Sequence, residues 1–193
     1  MRGQARQQLD AYLQRFPAEA GRLAALRAQF DEDPGDLFSR ANMRGHITTS
    51  AFVLDPGLQQ ILMIHHGTLK RWLQPGGHYE AGQSLWASAV REAMEETGVT
   101  ALSAHPQFGT AMPLDIDSHA IPANPRKNNG KGEGAHWHHD YAYLMIAPRD
   151  VALSPQLDEV SAVAWRPLAS LDFGDEPRWR SLMGKLGLFS SRV

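Results

Sequence analysis

Four residues within one short stretch, Arg91, Glu92, Glu95 and Glu96, have the types and spacing to handle a metal ion and phosphate. Segment 85–97 contains neither Gly nor Pro. Ser84 before it suits an N-cap and Gly98 after it a left-handed C′ residue, so a helix is predicted there. Residues three and four apart share a helix face, which gathers the three glutamates on one side. Such like-charge pairs weaken an isolated helix by about 0.2–0.5 kcal/mol each, so a compensating group is expected. A hard divalent cation suits carboxylate oxygens: magnesium or manganese takes a few of them and fills its other positions with water and phosphate oxygens. The plain alternative is a solvated acidic helix face.

A second set of chemically capable residues lies further on. Asp115, Asp117 and His119 alternate, as do His136, His138 and Asp140. Strand periodicity places each trio on one face. Between the runs lies a polar, glycine-rich loop, 123–134, with the composition of a mobile connection. If the runs pair as a hairpin, six Asp and His side chains meet on one surface. They would bind a second metal, hold a sugar or base, or accept a proton. Alternatively they form a polar network that only fixes the hairpin.

Read from Gly77, the first stretch resembles the Nudix box, G-x5-E-x7-R-E-U-x-E-E-x-G-U with U aliphatic. Gly77, Arg91, Glu92, Glu95, Glu96, Gly98 and Val99 fall in register, with Ala93 small at the first U. The run Trp72, Leu73, Gln74, Pro75, Gly76 resembles the usual lead-in. The one departure is Gln83, where a glutamate is expected; it keeps size and hydrogen bonding but loses charge. The resemblance implies an α/β fold, a Nudix-type α/β/α sandwich with a mixed β-sheet, here with an N-terminal helical extension. It implies that Glu92, Glu95 and Glu96 bind Mg2+ or Mn2+, with the Gly76 carbonyl as a further oxygen, and that Arg91 orients the glutamates and the loop. The implied reaction is attack of water on one phosphorus of a diphosphate in a nucleoside diphosphate or triphosphate derivative, by a pyrophosphohydrolase acting on a small nucleotide substrate. Gln83 keeps a second reading open, a Nudix-fold nucleotide-binding or regulatory module with little hydrolysis.

The elements that would position these residues can be traced in order. Residues 1–40 form a helical segment and residues 41–193 the hydrolase domain. In the former, 5–16 carries Leu9, Tyr12, Leu13 and Phe16, and 18–30 carries Leu23, Leu26 and Phe30, both at helical spacing. These stripes either cap the same chain or serve a homodimer. Strands are predicted at 47–54 and 60–65 around the turn Asp55, Pro56, Gly57. His65, His66, Lys70 and Arg71 then approach the glycine loop; Arg71 and His78 are candidates for an anionic substrate, against an ordinary solvated turn. A weak strand at 101–110, a last strand ending at Trp165, Arg166, Pro167 and a closing helix at 176–186 complete the order. Glu159 before that strand is a candidate base or ligand, against a surface turn.

Composition excludes several classes. The chain has 193 residues and 42% hydrophobic content, enough for a proper core. A net charge of −2 gives no basic field for double-stranded nucleic acid. Cysteine is absent, which rules out disulfides and thiolate sites and counts against the cysteine-dependent isopentenyl diphosphate isomerases that resemble this fold. No apolar run suits a membrane span or signal core, so a cytoplasmic protein is expected.

Overall fold

All ten residues of β1, Gly45–Leu54, are buried. A strand buried along its whole length must be central and covered on both faces. The computed structural model, which describes residues 1–127, 131–155, 160–171 and 177–190, shows how that is achieved. β1 runs parallel to β7, His136–Ile146, over ten residue pairs from Gly45 opposite Trp137 to Leu54 opposite Ile146. β2, Gln60–His66, pairs antiparallel with the end of β1 and is flanked by β3, Trp72–Leu73, and β8, Val160–Pro167. β4, Gly76–His78, pairs antiparallel with the middle of β1. On the far side, β5, Ser103–Ala104, and β6, Asp115–Ile121, both pair antiparallel with β7. The result is a mixed sheet of eight strands among the described residues.

Alternation along the two central strands divides the core. Ile47, Ala51, Val53, Tyr141, Tyr143 and Met145 face one way, against the helices α1, Arg2–Arg15, α2, Ala24–Glu32, and α3, Leu85–Thr97. Phe52, Leu54, Ala142 and Leu144 face the other way, against Leu182 and Leu186 of α4, Pro177–Ser190. Helices on both faces of a mixed sheet make the expected α/β/α sandwich.

The apolar stripes of α1 and α2 are spent on this chain's own sheet. Leu9, Tyr12, Leu23 and Leu26 are fully buried. Tyr141 Oη donates to the Ala5 carbonyl (3.1 Å) and Tyr143 Oη to Gln8 Oε1 (2.8 Å). The second helix starts at Ala24 rather than 18, because Pro17 opens a 3-10 turn, Pro17–Glu19, and the chain then bends so that Glu19 and Arg22 reach Tyr12. The weak strand expected at 101–110 shrinks to β5: beyond Ala104, Pro106 lies in a turn in which Phe108 and Gly109 donate back to the His105 carbonyl. Glu159 and the start of the expected closing helix at Glu176 lie outside the described residues. Among the described residues no helix is long and apolar enough to cross a membrane.

Candidate functional site

Helix α3 has the ends its sequence calls for. Ser84 Oγ accepts from the Ala87 amide (3.1 Å). Gly98 takes φ +77° and closes the helix with its amide on the Met94 carbonyl. Thr49 Oγ1 of β1 donates to Ser88 Oγ (2.8 Å), which ties the helix to the sheet. So anchored, α3 presents Glu92 and Glu96 to the glycines of β4 and Glu95 to Arg91. The Gly76 amide donates to Glu96 Oε2 (2.8 Å), and Glu96 is buried. Arg91 spans the group: Nη1 reaches Glu95 Oε2 (2.7 Å), while Nη2 reaches Glu92 Oε1 (2.8 Å) and the His78 carbonyl (3.1 Å). Its Nε also lies 3.5 Å from Glu80 Oε2. Burial disfavours the charged guanidinium, but Glu92 and Glu95 outweigh this and raise its pKa.

Carboxylate oxygens are the chemistry a hard divalent cation takes, though Glu92, Glu95 and Glu96 do not bring three ligand oxygens within 4.8 Å of one another here. One guanidinium faces two carboxylates of the helix, Glu92 and Glu95, with Glu80 beside it, and Glu95 keeps 47% of its side chain exposed. Gly77 is what leaves room: a Cβ there would lie 2.6 Å from Glu92 Oε2. At Gly76 a Cβ would instead meet backbone, 2.7 Å from Ser50 Cα and the Thr49 carbonyl oxygen. The two glycines therefore separate by experiment. Gly76→Ala is expected to lower Tm, with a loss of about 1–3 kcal/mol from overpacking. Gly77→Ala is expected to leave Tm nearly unchanged, because Glu92 swings aside, while turnover and divalent-ion affinity fall. Thermal denaturation beside an activity assay checks both; equal effects at both glycines would refute the distinction.

The second candidate set does form a hairpin. Asp117 stands opposite Asp140, His119 opposite His138, and Asp115 opposite Ala142. The six residues nonetheless divide. Asp140 accepts from Thr48 Oγ1 (3.1 Å) and Ser50 Oγ (2.6 Å) of β1, and burial raises its pKa. Asp117 holds His119 Nδ1 (2.8 Å) and also faces Arg22 and Arg178. Asp115, fully buried, belongs to an ion cluster at the sheet edge with Arg22, Lys185, Arg178 and Tyr12. His136 and His138 meet at Nε2 (3.2 Å) and share ring contacts with His46.

His78 links the two regions. Its carbonyl accepts from Arg91, while its ring lies 5.2 Å from the rings of both His46 and His138. Burial, then Arg40 and His46, push its pKa down to about 4. Arg71 is exposed on the β2–β3 turn and gives its carbonyl to the His66 amide; His65 turns to Ser161 and Trp72. Sequence reasoning passed over His46, Thr48, Ser50 and Glu80. The first three share a period of two, a signal that only becomes meaningful once β1 is known to lie beside β7.

The model of a family described as NUDIX domain matches residues 44–185. The chain is 32% identical over 110 residues to a probable DHNTP pyrophosphohydrolase of Lactococcus lactis. That alignment covers 57% of this chain and 59% of the relative, less than two thirds of its length. Among solved structures, a C. elegans Ap4A hydrolase binary complex resembles it with a TM-score of 0.52 at 16% identity, covering 76% of this chain and 98% of the other. A NUDIX family hydrolase from Clostridium perfringens does so with a TM-score of 0.50 at 21% identity, covering 77% and 99%. At such identities these structures speak for the fold.

Proposed function

The chain belongs to the Nudix family, and on that premise we propose that it is a pyrophosphohydrolase that cleaves a diphosphate linkage in a nucleoside diphosphate or triphosphate derivative, using Mg2+ or Mn2+ held by Glu92, Glu95 and Glu96. The observation that carries the reading is the group at the β4 glycines, in which Arg91 holds Glu92 and Glu95 while Glu96 takes the Gly76 amide. When bound, the ion supplies neutralisation of the diphosphate oxygens, the larger part of what phosphoryl transfer asks of a protein. The chain's own residues prepare the place. The Gly76 amide fixes Glu96, Arg91 keeps Glu92 and Glu95 from splaying apart, and Gly77 lets the loop approach without a side chain between them. The Gly76 carbonyl is a further oxygen donor in this reading.

Gln83 favours a second reading, a nucleotide-binding module with little turnover. Its carbonyl accepts from Tyr79 Oη (2.7 Å), so the loop is held whatever side chain sits there. Gln83→Glu is therefore expected to leave stability alone and to raise turnover by up to about tenfold, the lower end of what outer partners of a metal site contribute. Unchanged kinetics would remove Gln83 from the account.

The experiment that tests the function is a substrate panel with Mg2+ and with Mn2+. It comprises nucleoside triphosphates, nucleoside diphosphate sugars, dinucleoside polyphosphates of the Ap4A kind, and DHNTP, the last two taken from the relatives' names. Release of a nucleoside monophosphate, pyrophosphate or phosphate from one class supports hydrolysis. Binding without release across the whole panel supports the module instead.

A further inference from the structure

On the face of the sheet opposite α3, five imidazoles converge where β1 and β7 begin. His46 stands beside His138 across the parallel pair, with His136, His78 and His119 around them. We propose that His46, His136 and His138 form a binding site for a transition-metal ion of the zinc class, separate from the glutamates of α3. The inference goes beyond the hydrolase reading and does not rest on it.

The geometry is that of three converging donors. One ligand nitrogen from each of the three residues lies within 4.8 Å of the others. The Nε2 atoms of His136 and His138 are 3.2 Å apart. Tetrahedral Zn–N bonds of about 2.0–2.1 Å place two donors about 3.4 Å apart, so a small inward movement of His46 completes the trio. The tautomers agree. His136 Nδ1 lies 2.9 Å from the Gly134 carbonyl and His46 Nδ1 3.4 Å from the Asn42 carbonyl. A carbonyl only accepts, so in each neutral ring Nδ1 carries the hydrogen and Nε2 offers its lone pair. A backbone carbonyl behind the other ring nitrogen is the usual support of a metal-bound histidine.

A plain hydrogen bond from His138 to His136 accounts for that pair but leaves His46 unexplained. His46 is 2% exposed, and its Nε2 has no hydrogen-bond partner among the described residues. Buried polar atoms are seldom left so, and a metal ion gives this one a partner. An all-imidazole set favours zinc, cobalt, nickel or copper over magnesium, which takes oxygen. The His78 ring, 5.2 Å from the rings of both His46 and His138, lies within reach of the fourth position.

The test is titration of the metal-free full chain with Co2+ in excess Mg2+, followed by the visible absorption of tetrahedral cobalt. One equivalent is expected to bind and to be displaced by Zn2+. His138→Ala and His136→Ala are expected to weaken binding at least tenfold, and the Glu92→Gln, Glu95→Gln double variant to leave the spectrum intact. X-ray absorption on the zinc-loaded wild type needs no variant, and an imidazole-nitrogen shell at about 2.0–2.1 Å is expected. No cobalt uptake by the wild type, a signal that survives His138→Ala, a signal lost with the glutamates, or an oxygen-only shell would each overturn the proposal.

Discussion

Glu95→Gln is expected to lower kcat by at least about 10²–10³-fold, the scale on which one group that stabilises transition-state charge acts, with the fold intact. Gln has the shape of Glu and still offers Arg91 an amide oxygen, so the contact at 2.7 Å survives in weakened form. What disappears is the charge. Because nearly half of the Glu95 side chain is exposed, the stability change should stay within about 0.5 kcal/mol. Glu96 makes the instructive contrast. It is buried and accepts the Gly76 amide, so Glu96→Gln should cost stability as well as turnover. Steady-state kinetics and thermal denaturation on the two variants separate the roles. A Glu95→Gln enzyme that turned over at the wild-type rate would remove the glutamates from the mechanism.

The largest expected effect on stability lies far from that helix, at Asp115. Its Oδ1 receives Arg22 Nη2 (2.6 Å), Lys185 Nζ (3.0 Å) and Tyr12 Oη (2.9 Å), and its Oδ2 receives Arg178 Nε (2.9 Å). One carboxylate thus joins the N-terminal helices, β6 and α4. Asp115→Asn removes the charge without opening a cavity and leaves three cations to be balanced by Glu19 and Asp117. Breaking a buried pair in this way costs about 3–5 kcal/mol. At about 2–4 °C per kcal/mol for a chain of this size, Tm should fall on the order of 10 °C. The effect depends on pH in a defined direction. Burial alone would raise the Asp115 pKa, but Arg178, Arg22 and Lys185 together hold it well below the usual carboxylate range. Its contribution is therefore fully present above the unfolded-state value of about 3.9 and drains away as pH falls toward the folded value. The gap between wild type and variant should be constant through neutral pH and close in acid. A gap that widened in acid would mean that the cluster is held by something else.

What could be read from the chain alone was what is local. Helix α3 was legible because Ser84, Gly98 and the run between them specify it without help from elsewhere. The β6–β7 hairpin was legible because alternation is a property of each strand, and its register then follows from the pairing. The parallel alignment of β1 with β7 was not. It joins residues about ninety positions apart, and it alone turns His46 from an unremarked strand residue into a member of the imidazole group. The fate of Asp115 was equally hidden. It alternates with Asp117 and His119 like an equal member, yet its partners Tyr12 and Lys185 stand 103 and 70 residues away. Spacing can say which side chains share a face; it cannot say which of them another helix will claim.

The most direct test of the account is turnover of the best panel substrate by wild type and Glu95→Gln as Mg2+ is varied from chelator-treated protein to saturation. The expected result is a saturable dependence in the wild type, no turnover under chelation, and a loss of at least about 10²-fold in the variant that added magnesium does not restore. Turnover that persists under chelation, or a variant that matches the wild type at every magnesium concentration, would contradict it.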